Sequence, residues 1–91
     1  MKRPVDKLLN KHPSLTHSEN QKVSSHVQRA DGDWIQHTVM LEGYEVPFKF
    51  KRKKEYKSLK GSRVNLTYYP DVEVVVGMEF EIMKVVRIKV A

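Results

Sequence analysis

Apolar and polar residues alternate through much of the chain after residue 22, and this two-residue period constrains the fold more than any other feature. Successive side chains of a strand point to opposite faces, so the period indicates strands with one buried face. The clearest segments are residues 34–42, 44–51, 63–69 and 78–90. Residues 23–30 form a weaker candidate strand, and residues 72–76 a short apolar one.

The predicted strands are separated by turn signals and share a common apolar face. Gly32 and Gly43 each lie between two candidate strands, where a glycine accepts the positive φ of a tight turn. His37 lies on an otherwise apolar face and is predicted to be hydrogen-bonded inside the fold. The predicted core contains Ile35, Val39, Leu41, Val46, Phe48, Phe50, Val64, Leu66, Phe80, Ile82 and Ile88.

Residues 52–60 interrupt the alternation and predict one short helical element. Tyr56 and Leu59 are three positions apart, which suits a single helical turn packed on the body, and Gly61 suits its end. Five or six alternating strands in so short a chain favour closure, because a small open sheet leaves its edges exposed. The sequence therefore predicts a mainly β fold, a small five- to six-stranded antiparallel barrel.

The order of elements, β-β-β-short α-β-β, resembles that of the OB fold, a five-stranded Greek-key barrel. The resemblance implies a barrel with a helix between its third and fourth strands, which is where residues 52–60 fall. An SH3-like barrel is the alternative, and there the helical turn usually comes later in the chain.

The first 22 residues lack the two-residue period of the rest. Pro4 favours a short helix that Pro13 would end, and the polar residues 14–22 follow. We therefore predict a mobile N-terminal segment, residues 1–22, that could hold a short helix, and a single domain over residues 23–91. Deleting residues 1–22 is expected to leave that domain folded.

Basic side chains are concentrated in residues 49–63, which carry eight Lys or Arg and one acid, a net charge of +7. The whole chain has a formal net charge of +6, so the remaining residues are close to neutral. A basic patch on a small neutral body is the footprint expected of a polyanion binder. The predicted binding residues are Lys49, Lys51, Arg52, Lys53, Lys54, Lys57, Lys60 and Arg63.

Three aromatic residues outside the predicted core are candidates for stacking on bases. Proteins that bind single strands combine a basic groove with exposed rings. Trp34 and Tyr69 lie on the faces opposite the predicted core, and Tyr56 lies within the basic stretch. Together with the charge, these rings predict a module that binds RNA or single-stranded DNA with low sequence specificity.

The alternative is a protein–protein interaction module that uses an exposed strand edge. Lysines on an edge strand also serve to prevent sheet-to-sheet pairing, which needs no ligand. Pro47 lacks a ladder N–H and marks a candidate edge, while Glu79 and Glu81 make another strand acidic.

No motif of an enzyme, a metal site or a cofactor site accompanies these features. The chain has no cysteine, its four glycines are isolated, and no serine lies in a G-x-S-x-G context. Its four histidines lack the spacing of a metal pair. No apolar run is long enough for a secretory signal or a membrane span, so we expect a cytoplasmic protein without enzymatic activity.

Overall fold

The computed structural model describes residues 15–91, and five strands account for most of them. The alternating segments are strands except for residues 44–47, which lie outside any strand, and the described part of the chain is mainly β, as predicted. The apolar segment after Pro70 is not a separate strand, because the fourth strand continues through that proline. The strands are β1 (Thr16–Asp31), β2 (Trp34–Leu41), β3 (Phe48–Arg52), β4 (Arg63–Val75) and β5 (Met78–Val90).

The five strands form one sheet that closes in a ring with the order β1-β2-β3-β5-β4. β1 completes the ring because it pairs with β2 on one side and β4 on the other. Four of the neighbouring pairs are antiparallel, and β3 and β5 are parallel. The sheet is therefore mixed, and the prediction of an antiparallel barrel is wrong for the β3–β5 pair. A closed ring with an odd number of strands cannot alternate direction throughout, so one pair must be parallel.

The helical turn predicted over residues 52–60 is also wrong. Residues 53–62 connect β3 to β4 through bends and turns without a helix. Tyr56 and Leu59 do pack against the core, as the spacing predicted. Side chains from β1 and β2 bind the backbone of this connection, so its polar groups have partners without helical hydrogen bonds. Within residues 15–91, no helix is long and apolar enough to cross a membrane.

The N-terminal boundary differs from the predicted one, because β1 begins at Thr16 and not after residue 22. Residues 16–22 pair with β4, from Thr16 opposite Tyr68 to Lys22 opposite Arg63. Most of these residues are polar, so no apolar period reveals the strand. The short helix predicted near Pro4 lies outside the described residues.

The core fills the ring and contains most of the predicted residues. Val39, Leu41, Phe48, Phe50, Val64, Leu66 and Ile82 are buried, and Ile35, Val46 and Ile88 are partly buried. Phe80 was predicted wrongly, since 47% of it is exposed. It lies where β4 and β5 extend past the other strands, because β3 pairs with β5 only at Met83 and Lys84. An alternating pattern does not show where a strand extends beyond the other strands that would bury its apolar face.

Candidate functional site

Residues 53–62, here called the basic loop, carry half of the eight predicted cations on a segment held close to the core. Tyr56 and Leu59 pack against the buried cluster of the ring. At the end of the loop, the N–H of Gly61 donates to the carbonyl of Val23 at 2.9 Å. The N–H of Val23 in turn donates to the carbonyl of Ser62 at 2.9 Å. The basic loop therefore has a defined path although it has no regular secondary structure.

Gln28 of β1 holds the middle of the basic loop through two hydrogen bonds. Its Nε2 donates to the carbonyl of Tyr56 at 2.7 Å, and the N–H of Tyr56 donates to its Oε1 at 2.8 Å. The side-chain amide of Gln28 thereby pairs with both the N–H and the carbonyl of Tyr56, as the backbone of a neighbouring strand would. Gln28 thus replaces part of the hydrogen bonding that a helix would have supplied.

Two histidines join the sheet to the basic loop on either side of that contact. The N–H of Leu59 donates to Nδ1 of His26 at 3.0 Å, and Nε2 of His37 lies 3.2 Å from the carbonyl of Lys54. His26 Nε2 and His37 Nδ1 are 2.9 Å apart. His37 is fully buried and stacks on Phe50, with ring centroids 4.7 Å apart.

The partners at the two ends assign the protons of this histidine pair. An amide N–H only donates, so His26 accepts at Nδ1 and carries its proton on Nε2. A carbonyl only accepts, so His37 carries its proton on Nε2 and accepts from His26 at Nδ1. Every hydrogen bond is satisfied when both rings are neutral. A second proton on either ring would place two donors face to face.

Burial is the largest cause that lowers the pKa of both histidines from their ordinary value of 6.5. The charge of His37 lowers the pKa of His26 further. For His37, hydrogen bonding to the Lys54 carbonyl opposes the burial effect, the charge of Arg52 adds to it, and Glu55 opposes it. The ring of Tyr56 also faces His37, at 4.6 Å between centroids. The net shift favours the neutral rings that the hydrogen bonds require.

The stability of the fold is therefore expected to decrease as the pH falls below about 6.5. Below that value the unfolded chain binds protons that the folded histidines do not, so the free energy of unfolding declines with pH. His26→Gln removes one of these groups while its amide can still donate towards His37, and should flatten the dependence of the melting temperature between about pH 5 and 7, where histidine titrates. His17→Gln, outside the pair, is the control. An unchanged slope in His26→Gln would contradict this account.

The eight predicted cations differ in how far they are already neutralised. Lys49 is 2.8 Å from Glu73, and Lys51 is 3.1 Å from Asp31. Arg52 lies over the ring of Phe50. Two more have other contacts: Arg63 donates to the carbonyl of Asn20, and Lys53 lies over Trp34. Of the eight, Lys54, Lys57 and Lys60 are exposed and have no ion pair, side-chain hydrogen bond or ring contact with residues 15–91.

The three candidate aromatic residues have different surroundings. Trp34 is 44% exposed at the start of β2, and the Nζ atom of Lys53 lies 5.0 Å from its ring centroid. Tyr69 is half-buried on β4, next to Lys84 of β5. Tyr56 packs against the core between His37 and Phe50, so little of its ring is open to a base. Trp34 is thus the ring that the structure brings to the basic loop.

A cleft of about 600 Å³ lies beside β3, where that strand loses its pairing with β5. Its lining mixes bases with acids: Lys49, Lys51, Arg52 and Lys84 face Asp31, Asp71 and Glu73. These charges largely cancel, so the cleft is a poor site for a polyanion. The basic loop, by contrast, has four lysines and one acid, a net charge of +3.

Residues 15–91 contain no group of three or more His, Cys, Asp or Glu side chains that could hold a metal ion. No protein-family model matches the chain, and no curated protein or solved structure is detectably similar to it.

Proposed function

We propose that the protein is an OB-like barrel that binds RNA or single-stranded DNA with low sequence specificity through the basic loop. The connectivity supports the OB-like description. After β1, β2 and β3, the basic loop returns the chain so that β4 lies beside β1, which is the order of a Greek key. A five-stranded Greek-key ring is the general description of the OB fold.

The observation that carries the functional proposal is a trio of exposed lysines that have no ion pair with residues 15–91 and lie on an anchored loop. Lys54, Lys57 and Lys60 are exposed, and Gln28, His26 and His37 fix the backbone between them. Fixed cations lose less conformational freedom when phosphates bind than cations on a flexible tail do. Contacts between lysine side chains and phosphates bind the nucleic-acid backbone and do not distinguish one base sequence from another.

The neighbouring aromatic ring favours single strands over duplexes. Trp34 is exposed beside Lys53, and unpaired bases stack on such rings without regard to sequence. A ring next to a row of phosphate-binding cations is the combination that single-strand binders use.

Replacing Lys54, Lys57 and Lys60 together by glutamine is expected to weaken oligonucleotide binding at least tenfold at low salt. About four phosphate contacts give the wild-type chain a log–log salt slope near −3, and the loss of three contacts leaves a slope near −1. Titrations of a single-stranded oligonucleotide at several salt concentrations, followed through the fluorescence of the one tryptophan, measure both quantities.

Arg29→Gln, Arg87→Gln and Lys89→Gln together form the matched control, because they remove the same charge at exposed positions outside the basic stretch. This control should keep most of the wild-type affinity. Equal losses in the two triple variants would mean that net charge alone attracts the oligonucleotide. No binding by the wild-type chain at about 50 mM salt would end the proposal.

A protein-interaction module remains the second candidate function, and one observation favours it. Exposed apolar side chains are concentrated on the part of β4 and β5 that extends past the ring. This surface is separate from the basic loop, and both can belong to one protein.

A further inference from the structure

Residues 70–82, here called the arm, form the end of the β4–β5 hairpin and carry most of the exposed apolar surface. Six of the ten large hydrophobic residues that are exposed among the described residues lie here: Val72, Val74, Val75, Val76, Met78 and Phe80. Val76 at the tip is 96% exposed. Exposed apolar side chains concentrated in this way on a small domain mark a contact with another molecule.

The arm also has two open strand edges. β1 pairs with β4 only as far as Tyr68, and β3 pairs with β5 only at Met83 and Lys84. The outer parts of β4 and β5 therefore pair only with each other among the described residues. A lone two-stranded ribbon is marginally stable in water, so a bound surface would stabilise this one.

The charges of the arm select the kind of surface it can contact. Its four ionisable side chains are all acids, Asp71, Glu73, Glu79 and Glu81, and it has no base. Glu73 is paired with Lys49 of the same chain. Two arms side by side would bring like charges together, which disfavours arm-to-arm pairing. The complementary surface must be basic and must offer an apolar group.

The basic loop has both of these properties. Lys54, Lys57 and Lys60 are exposed and have no acidic partner among residues 15–91, and the ring of Trp34 is exposed next to Lys53. We propose that the arm of one copy docks on the basic loop and Trp34 of a second copy. The acids face the lysines in this contact, and the apolar side chains cover the indole. The interaction goes beyond nucleic-acid binding, and a nucleic acid would compete for the same basic loop.

This contact joins two different surfaces, so each copy keeps one free arm and one free basic loop. Such head-to-tail association gives rings or open chains instead of a symmetric dimer. The weight-average mass of the wild-type protein should therefore increase steadily with concentration in analytical ultracentrifugation at low ionic strength. It should return to the monomer mass at about 1 M salt, where the Debye length is about 3 Å.

Charge reversal on each side gives two variants that test the pairing. Glu79→Lys with Glu81→Lys changes the arm, and Lys54→Glu with Lys57→Glu changes the basic loop. Each variant alone is expected to be monomeric, because the first leaves the arm with no net charge and the second gives the basic loop a net charge of −1. A mixture of the two should form a one-to-one complex, because the unchanged acidic arm of the loop variant can dock on the unchanged basic loop of the arm variant.

Val76→Asn tests the apolar part of the contact without endangering the fold. Val76 has a φ of 50°, a conformation that asparagine tolerates better than a β-branched residue. The substitution should therefore weaken association while the melting temperature is kept or raised. Val27→Asn, which changes an exposed valine on β1, is the matched control and should associate like the wild type.

These experiments contain no nucleic acid, so they stand whether or not oligonucleotides bind. Wild-type monomers at every concentration would overturn the proposal, as would two charge variants that stay separate when mixed. Slow hydrogen exchange of the arm amides in a monomer would mean that another part of the same chain covers the arm. That result would also overturn the proposal. The arm variant should still bind oligonucleotides if the basic loop binds them.

Discussion

Replacing Phe48 by alanine is expected to lower the free energy of unfolding by about 3–5 kcal/mol. Phe48 heads the fully buried side chains when they are ranked by volume. Its ring makes edge-to-face contacts with Tyr44 and Tyr68, with centroids 5.3 Å and 4.9 Å away. Alanine would leave a cavity in the core cluster, to which all five strands contribute, and these strands cannot all move to fill it. A loss of this size is a large part of the total stability of a small domain.

Chemical denaturation of Phe48→Ala and Phe80→Ala compares the free energy of unfolding that is lost at a core position with the loss at an arm position. Both variants lose the same atoms, but Phe80 is 47% exposed on the arm. Phe80→Ala should therefore change the free energy of unfolding by no more than about 1 kcal/mol. Similar losses in the two variants would mean that the arm is packed as tightly as the core, contrary to the structure.

Alternation was sufficient to predict the strands and much of the core, because the two-residue period reports directly which face of a strand is buried. Val39, Leu41, Phe48 and Phe50 were placed correctly on that basis. The same rule failed for Phe80, which continues the pattern beyond the end of the ring. Burial depends on which strand lies opposite, and the period of one strand does not contain that information.

The position of the basic stretch could be read from composition, but the way it is held could not. Gln28, His26 and His37 are single polar residues on strands, and nothing in their spacing indicates that all three reach residues 54–59. Their contacts with the loop are 17 to 33 residues apart in sequence. The helix was predicted wrongly for the same reason. The prediction used only the spacing of residues within the segment, whereas side chains of β1 and β2 supply the hydrogen-bond partners of its backbone.

Deleting residues 1–22 is expected to abolish the cooperative unfolding transition, although the sequence pattern marked this segment as dispensable. The deletion removes the half of β1 that pairs with β4 and so opens the ring. Two hydrogen bonds between side chains of β1 and β4 disappear with it: Ser18 to the Tyr68 hydroxyl at 2.8 Å, and His17 to Thr67 at 3.1 Å. The free edge of β4 would then expose Leu66 and its neighbours to water. The summed loss should exceed about 5 kcal/mol, the lower end of the stability of whole domains.

Deleting only residues 1–14 is the matched control, because it keeps β1 from Thr16 onward and all of its pairing with β4. Thermal unfolding followed by circular dichroism should show a sharp transition for this shorter deletion and none for the longer one. The seven residues from Thr16 to Lys22 act through hydrogen bonds along a polar strand, so an apolar pattern could not reveal their importance. If the variant without residues 1–22 unfolds sharply within a few degrees of the wild type, the sheet is stable without the pairing between residues 16–22 and β4.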